Sequence, residues 1–123
     1  MTAFRAAVLE HFRRPRNRRA LEDANAAADG ANPLCGDRVR VQLRIDDDVI
    51  RAAAFTADAC AICIAAASVL TEQVRGMTRT EARQVSVAHV HRALDGAPPP
   101  ARAKCASLPV DTLHRALDSA STS

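Results

Sequence analysis

The chain has 123 residues, enough for one domain with one core and too few for two. Hydrophobic residues make up 48% and charged residues 25%, with a net charge of +3, a globular balance that excludes collagen, a long coiled coil and a disordered tail. No stretch of about 18 residues lacks charge, which excludes a transmembrane span.

Phe4, Val8 and Phe12 recur every four residues, which predicts an amphipathic helix over 2–14 that Pro15 ends. Residues 15–34 hold Pro15, Asn17, Gly30, Asn32 and Pro33 and read as a connector with a short strand around Ala24–Ala28. Val39, Val41, Leu43 and Ile45 then alternate with Arg38, Arg40, Gln42 and Arg44. A period of two puts the apolar set on one face, so this segment is a strand whose arginine row is a solvated outer face. Asp46, Asp47 and Asp48 make a turn, and Val49–Thr56 returns as the second strand of an antiparallel hairpin.

From Ala61 to Arg75 the period changes: Ile62, Ala66, Val69 and Val74 lie at helical spacing, with Gly76 at the C-cap. Thr80–Leu94 predicts one or two further helices, and Ala97–Pro100 a rigid extended break. The last helix is placed at 108–118, with Pro109 in its first turn and Val110, Leu113 and Leu117 on one side. The whole reads as one α+β domain over 1–118: an N-terminal helix, a small three-stranded antiparallel sheet, then several helices packed on one face, followed by a polar tail at 119–123.

Nucleic-acid binding is not expected, because no Trp or Tyr is present to stack on bases and no basic helix carries interleaved base-reading side chains. The five arginines between Arg13 and Arg19 read as a solvated helix end or as a dock for an acidic partner. Residues 1–30 contain no apolar signal-peptide core, so the expected setting is a reducing cytoplasm without membrane attachment. There, four cysteines mean metal or thiol chemistry more often than disulfides.

Three of the four are expected on connections, where a scaffold can aim groups at one point. Cys35 lies in a Pro-Leu-Cys-Gly-Asp turn, Cys60 between the second strand of the hairpin and the Ala-rich helix, and Cys105 between the proline break and the last helix. Asp37 follows Cys35 across the flexible Gly36. Three thiolates and one carboxylate make a four-coordinate set suited to Zn²⁺, and three thiolates also suit an iron–sulfur cluster with a weaker fourth position. The spacings, 25 residues from Cys35 to Cys60 and 45 from Cys60 to Cys105, include no paired Cys-x-x-Cys units, so buried structural thiols fit them as well. Cys63 reads as a spare ligand, a resolving thiol paired with Cys60, or simply a small buried residue of the Ala-rich helix. Lys104, the only lysine, either pairs with a persulfide or the Asp37 carboxylate or is solvated. His11 reads as a structural helix-end residue and His114 as a surface residue, while His89 and His91 face different sides of a helix.

These residues resemble the IscU/NifU/SufU family of iron–sulfur cluster assembly scaffolds over nearly the whole chain. His11-Phe12 with Pro15-Arg16-Asn17 resembles its H-aromatic-x-x-P-R-N element, and Asn32 to Asp37 its N-P-x-C-G-D motif. Phe55 to Cys60, continuing through Ala65-Ala66-Ala67-Ser68, Thr71-Glu72 and Val74-Arg75-Gly76, resembles the second-cysteine segment and its helix. Pro98 to Cys105, then Leu108 and Ala116-Leu117, resembles the segment around the third cysteine.

The resemblance implies a SufE/NifU-like fold and a scaffold that accepts persulfide sulfur from a cysteine desulfurase. It further implies that a transient [2Fe–2S] cluster, or iron, is assembled on Cys35, Asp37, Cys60 and Cys105 and passed to apo iron–sulfur proteins or carrier proteins. The Asp37 corner is expected to keep the cluster labile, and Cys105, on a flexible approach, is expected to take the sulfur. The chain departs from the pattern at Ala57 and Ala59, which are often Gly, and at Lys104, where the IscU and NifU branches carry His. The insertion that SufU proteins have before the third cysteine is absent, and Pro98 to Arg102 only partly matches the segment that an Hsp70-type chaperone recognises, which weakens that partner. Two alternatives stay open: a zinc-bound, SufU-like sulfurtransferase that activates a desulfurase, and a zinc-stabilised interaction module without sulfur chemistry.

Overall fold

The computed structural model describes residues 2–120. Thr2 opens helix α1 (Ala3–Arg13) by accepting the Arg5 amide on its hydroxyl at 3.1 Å. Val8 is buried and Phe4 packs against the core, but Phe12, at the end of the predicted stripe, is 41% exposed.

Three antiparallel strands follow in the order β1 (Ala26–Asn32), β2 (Asp37–Asp46), β3 (Val49–Asp58). Burial along the central strand β2 follows the alternation in the sequence: Asp37, Val39, Val41, Leu43 and Ile45 are buried, whereas Arg38 and Arg40 are exposed. The β2–β3 turn holds Asp47 and Asp48 at φ 52° and 66°, the left-handed pair that a two-residue turn needs to match strand twist. β1 lies later than the expected Ala24–Ala28. Gly30 and Asn32, expected in a connector, pair with Val39 and Asp37 instead. Gly30 is required for space, because a Cβ there would run into the Thr112 hydroxyl.

Helix α2 (Ala61–Val74) is apolar all round, and Cys63 to Thr71 are buried without interruption. It is the central helix, with α1, the last helix and β3 packed around it, and its run of alanines lets these neighbours approach closely. Two short helices, α3 (Arg79–Arg83) and α4 (Val87–Ala93), fill the region expected to hold one or two, each opened by a capping box from Thr78 or Ser86.

The last helix, α5 (Ala103–Ser119), follows a 3₁₀ turn at Pro100–Arg102 and packs on β1, β2 and α2. It starts five residues before the expected 108, so Cys105 lies in its first turn and not on a connection. Pro109 is inside the helix; it has no N–H to give to the Cys105 carbonyl four residues back. Burial of Leu108, Val110, Leu113 and Leu117 holds the helix on both sides of that gap. Ser119 ends α5 and Ala120 caps it; residues 121–123 of the expected polar tail lie outside the described residues.

The His11 to Asn17 element is a buckle between α1, α2 and β3. The fully buried Ser68 accepts the Arg16 amide at 2.8 Å and gives its own proton to His11 Nδ1 at 2.8 Å. Asn17 donates its side-chain amide to Thr71 at 3.3 Å, and its carbonyl accepts the Phe55 amide at 2.9 Å. Burial and the nearby Arg16 charge lower the His11 pKa below its ordinary 6.5, in keeping with a neutral ring that accepts at Nδ1. A lowered folded pKa means that the unfolded chain takes up this proton first as pH falls. The buckle therefore contributes fully above pH 6.5 and is lost as pH drops through the lower folded value. Urea unfolding at pH 7.5 and 5.5 is expected to show this loss, with a smaller pH difference in His11→Asn. Ser68→Ala is expected to cost about 1–3 kcal/mol at both pH values by leaving the part-buried Arg16 amide without its acceptor.

Candidate metal centre

The turn between β1 and β2 is built on Asn32. Its side-chain oxygen accepts the Leu34 amide at 3.2 Å, and its carbonyl accepts the Cys35 and Gly36 amides at 3.3 and 2.8 Å. Gly36 sits at φ +76°, which turns the chain back so that Cys35 is displayed at the tip and Asp37 enters β2 facing inward. Cys60 follows β3 directly and is the N-cap residue of α2. Its backbone amide donates to Asp37 Oδ1 at 3.0 Å. Cys105 projects from the first turn of α5 and is 2% exposed.

The Cys35 sulfur, an Asp37 carboxylate oxygen and the Cys105 sulfur all lie within 4.8 Å of one another. Cys60, half-buried, stands outside that trio and joins it through its contact with Asp37. Asp37 Oδ2 is buried with no hydrogen-bond partner. Burial pushes the carboxyl pKa up, but the Cys60 amide and the surrounding Cys35, Cys105 and Cys60 thiols outweigh it, so the net shift is downward. The same burial, with Cys60 and the Asp37 charge beside it, pushes the Cys105 thiol up to about 12. The centre thus sets an anionic carboxylate, with one buried oxygen lacking a partner, beside a Cys105 thiol held protonated. A cation of zinc or iron type fits this donor set: it would engage the free oxygen and reverse the penalty on the thiolates.

Cys63 is fully buried in the core and takes no part in the trio; burial pushes its thiol far up, as in an inert packing residue. Lys104 is exposed and makes no ion pair with Asp37 or any other described residue. The cation at the sulfurs is Arg102: it borders both Cys105 and Cys60, and the Cys105 side chain raises its guanidinium pKa further. Sequence reasoning read Arg102 only as the end of the partial chaperone-recognition segment and not as part of the centre. The available signal was its position three residues before Cys105, a spacing that puts two side chains on one side of a helical turn.

No histidine joins the trio among the described residues. His89 Nδ1 accepts the Ser86 amide at 3.0 Å, and His91 Nε2 is buried without a partner. His114, expected on the surface, is half-buried and donates Nε2–H to the Val85 carbonyl at 2.9 Å, tying α5 to the α3–α4 connection.

A depression of about 540 Å³ opens beside the centre, bounded by Leu34, Cys35, Arg102, Lys104 and Cys105. A larger one, about 740 Å³, lies over the sheet between Asp29, Arg38, Arg40, Asp58 and Arg115, with no cysteine on its walls. Among the described residues, no helix is long and apolar enough to cross a membrane.

Residues 3–121 match the family model described as the NifU-like N terminal domain. The chain is 36% identical over 110 residues to an iron-sulfur cluster assembly scaffold protein IscU of Archaeoglobus fulgidus, covering 89% of this chain and 71% of that one. It is 36% identical over 75 residues to the zinc-dependent sulfurtransferase SufU of Bacillus subtilis, covering 61% and 50% respectively. Its fold superimposes with a TM-score of 0.77, at 27% identity and over 90% and 93% of the two chains, on a putative scaffold protein for the SUF system from Fervidobacterium islandicum. The chain spans from 23% to 83% of the length of curated relatives that it matches.

Proposed function

Because the chain belongs to the NifU-like N-terminal domain family, we propose that it is an iron–sulfur cluster assembly scaffold: it accepts sulfur from a cysteine desulfurase, assembles a [2Fe–2S] cluster as cargo and delivers it to apo-proteins or carriers. One observation carries this reading: Cys35, Asp37 and Cys105 converge within 4.8 Å around a buried carboxylate oxygen that has no partner. Cys35, Cys60 and Cys105 supply thiolates, and Asp37 supplies the harder and weaker oxygen ligand that lets the cargo leave. A bound metal supplies positive charge that favours thiolate over thiol at this centre.

Sulfur arrives as a persulfide. An acceptor thiolate attacks its outer sulfur, the donor S–S bond breaks, and the donor cysteine leaves as thiolate while the acceptor carries the persulfide. Exposure favours Cys35 at the turn tip for this step over Cys105, which the start of α5 at Ala103 places in a buried helical turn and not on a flexible approach.

A second reading, a zinc-bound SufU-like sulfurtransferase, uses the same four residues. It is favoured by Lys104, an exposed cation, where a histidine next to the third cysteine would offer one more ligand. Anaerobic purification, metal analysis, then addition of desulfurase, cysteine and ferrous iron separates the two. Visible cluster absorption that depends on Cys35, Cys60 and Cys105 is the expected result for a scaffold. Tightly held zinc with faster desulfurase turnover and no cluster is the result for a sulfurtransferase. Zinc with neither effect leaves only a zinc-stabilised interaction module, and unchanged metal content in Cys35→Ser removes the shared centre from all three.

A further inference from the structure

Leu34 is 84% exposed, twice the exposure of Phe12, the other exposed large apolar side chain among the described residues. It is not a loose loop residue. Pro33 precedes it, its amide is bonded to Asn32 Oδ1, and the Gly36 amide closes the same turn on the Asn32 carbonyl. The backbone that displays Leu34 is therefore ordered before any partner arrives, which removes much of the ordering cost of using it as a contact.

Its surroundings have a definite character. Across the 540 Å³ depression stand Arg102 and Lys104, neither in an ion pair among the described residues. On the far side, Arg102 also borders a smaller recess with Cys60 and the half-buried Ile62. Neither recess has an acidic lining residue. The rim of the metal centre is thus one projecting apolar side chain, a second lower apolar patch, and two free cations between and beside them.

We propose that Leu34 is the anchor by which the sulfur donor seats on this chain, entering an apolar recess next to the donor's persulfide-bearing cysteine while Arg102 and Lys104 meet acidic side chains at the edge of that recess. The proposal rests on the sulfur-acceptance reading above. Leu34 directly precedes Cys35, so burying the one brings the other's thiol to the donor. An apolar anchor that loses its water acts mainly on dissociation, whereas rim charges act mainly on association and its salt dependence.

The test uses the zinc-loaded chain and the cysteine desulfurase encoded in the same genome, with association and dissociation rates measured at two salt concentrations. Leu34→Ser is expected to weaken binding by roughly tenfold to a hundredfold, the range for burying one leucine, mostly through faster dissociation, with zinc content and melting temperature unchanged. Leu34→Met should retain binding. Arg102→Glu should slow association at least fivefold at low salt and flatten the salt dependence. Binding of Leu34→Ser within twofold of wild type overturns the anchor, and so does a loss of zinc in that variant, which would make the effect structural. A wild-type chain that neither binds the desulfurase nor changes its turnover overturns the sulfur-acceptance reading itself, and the anchor with it.

Discussion

Cys105→Ser is expected to lose stoichiometric metal while keeping its fold, and Cys63→Ala to keep its metal at a small cost in stability. The two thiols look alike by burial, at 2% and 0% exposure, yet they sit in different fields. Cys105 has its sulfur within 4.8 Å of the Asp37 carboxylate and the Cys35 sulfur. Serine there is nearly isosteric, so α5 can form, but its hydroxyl does not ionise and gives a centre short of one thiolate. Outer-shell changes alone cost metal affinity about 10–100-fold, so loss of a direct ligand should exceed about 100-fold. Cys63 packs among apolar side chains of the core, and removing its sulfur leaves a small cavity worth about 1 kcal/mol with no change in metal content. Zinc titration by competition with a chromophoric chelator, beside urea unfolding, measures both quantities on both variants. The same titration across pH should show affinity climbing from pH 6 to 8, because thiols such as Cys105, pushed up to about 12, must release protons when metal binds. Equal metal affinity in Cys105→Ser and wild type would remove Cys105 from the centre.

A large effect on stability is also expected at a residue with no side chain. Gly30→Ala should destabilise the protein by about 1–3 kcal/mol, the range for overpacking a close contact, because the new methyl collides with the Thr112 hydroxyl and presses on Leu108. β1 cannot yield easily, being paired in register with β2 on both sides of Gly30. α5 cannot yield without uncovering Leu113 and Leu117. Thr112→Ala alone should cost less, since its hydroxyl only returns a bond to the Leu108 carbonyl of its own helix. The Gly30→Ala/Thr112→Ala pair should recover part of the loss, a coupling that a double-mutant cycle from urea midpoints reads directly. Simple additivity would show that α5 does not press on β1 at Gly30.

How far the sequence discloses the fold depends on what each element packs against. β2 is legible because one face meets helices and the other meets water, so its code of period two is complete in the sequence. α2 is only half legible. Its residues share a helical spacing, but burial on all sides erases the polar stripe that would mark its orientation, and only its neighbours show it to be central. α5 is misplaced for a chemical reason. Pro109 resembles a first-turn proline, and Ala103 to Ser107 carry no apolar period strong enough to outvote it. That misplacement turned Cys105 from a buried helical residue into a loop residue. At the centre, Cys35, Asp37, Cys60 and Cys105 were legible as residues of the right chemistry. Arg102 was not, since an exposed arginine beside a proline run has no signature until the 3₁₀ turn at Pro100–Arg102 directs it toward the sulfurs.

Pro109 also divides α5 in its ability to open. The turn from Ala103 to Leu108 is not tied to the rest of the helix by a Pro109 N–H, whereas the half beyond it is clamped by Val110, Leu113, Ala116 and Leu117. Hydrogen exchange should therefore find two units in one helix, a slowly exchanging C-terminal half with protection near that of global unfolding, and a fast N-terminal turn that opens on its own. Cys105 belongs to the fast unit. Opening of that unit lifts Cys105, Ala106 and Leu108 out of buried positions, and its rate is expected to limit how quickly anything bound at the Cys105 sulfur changes hands.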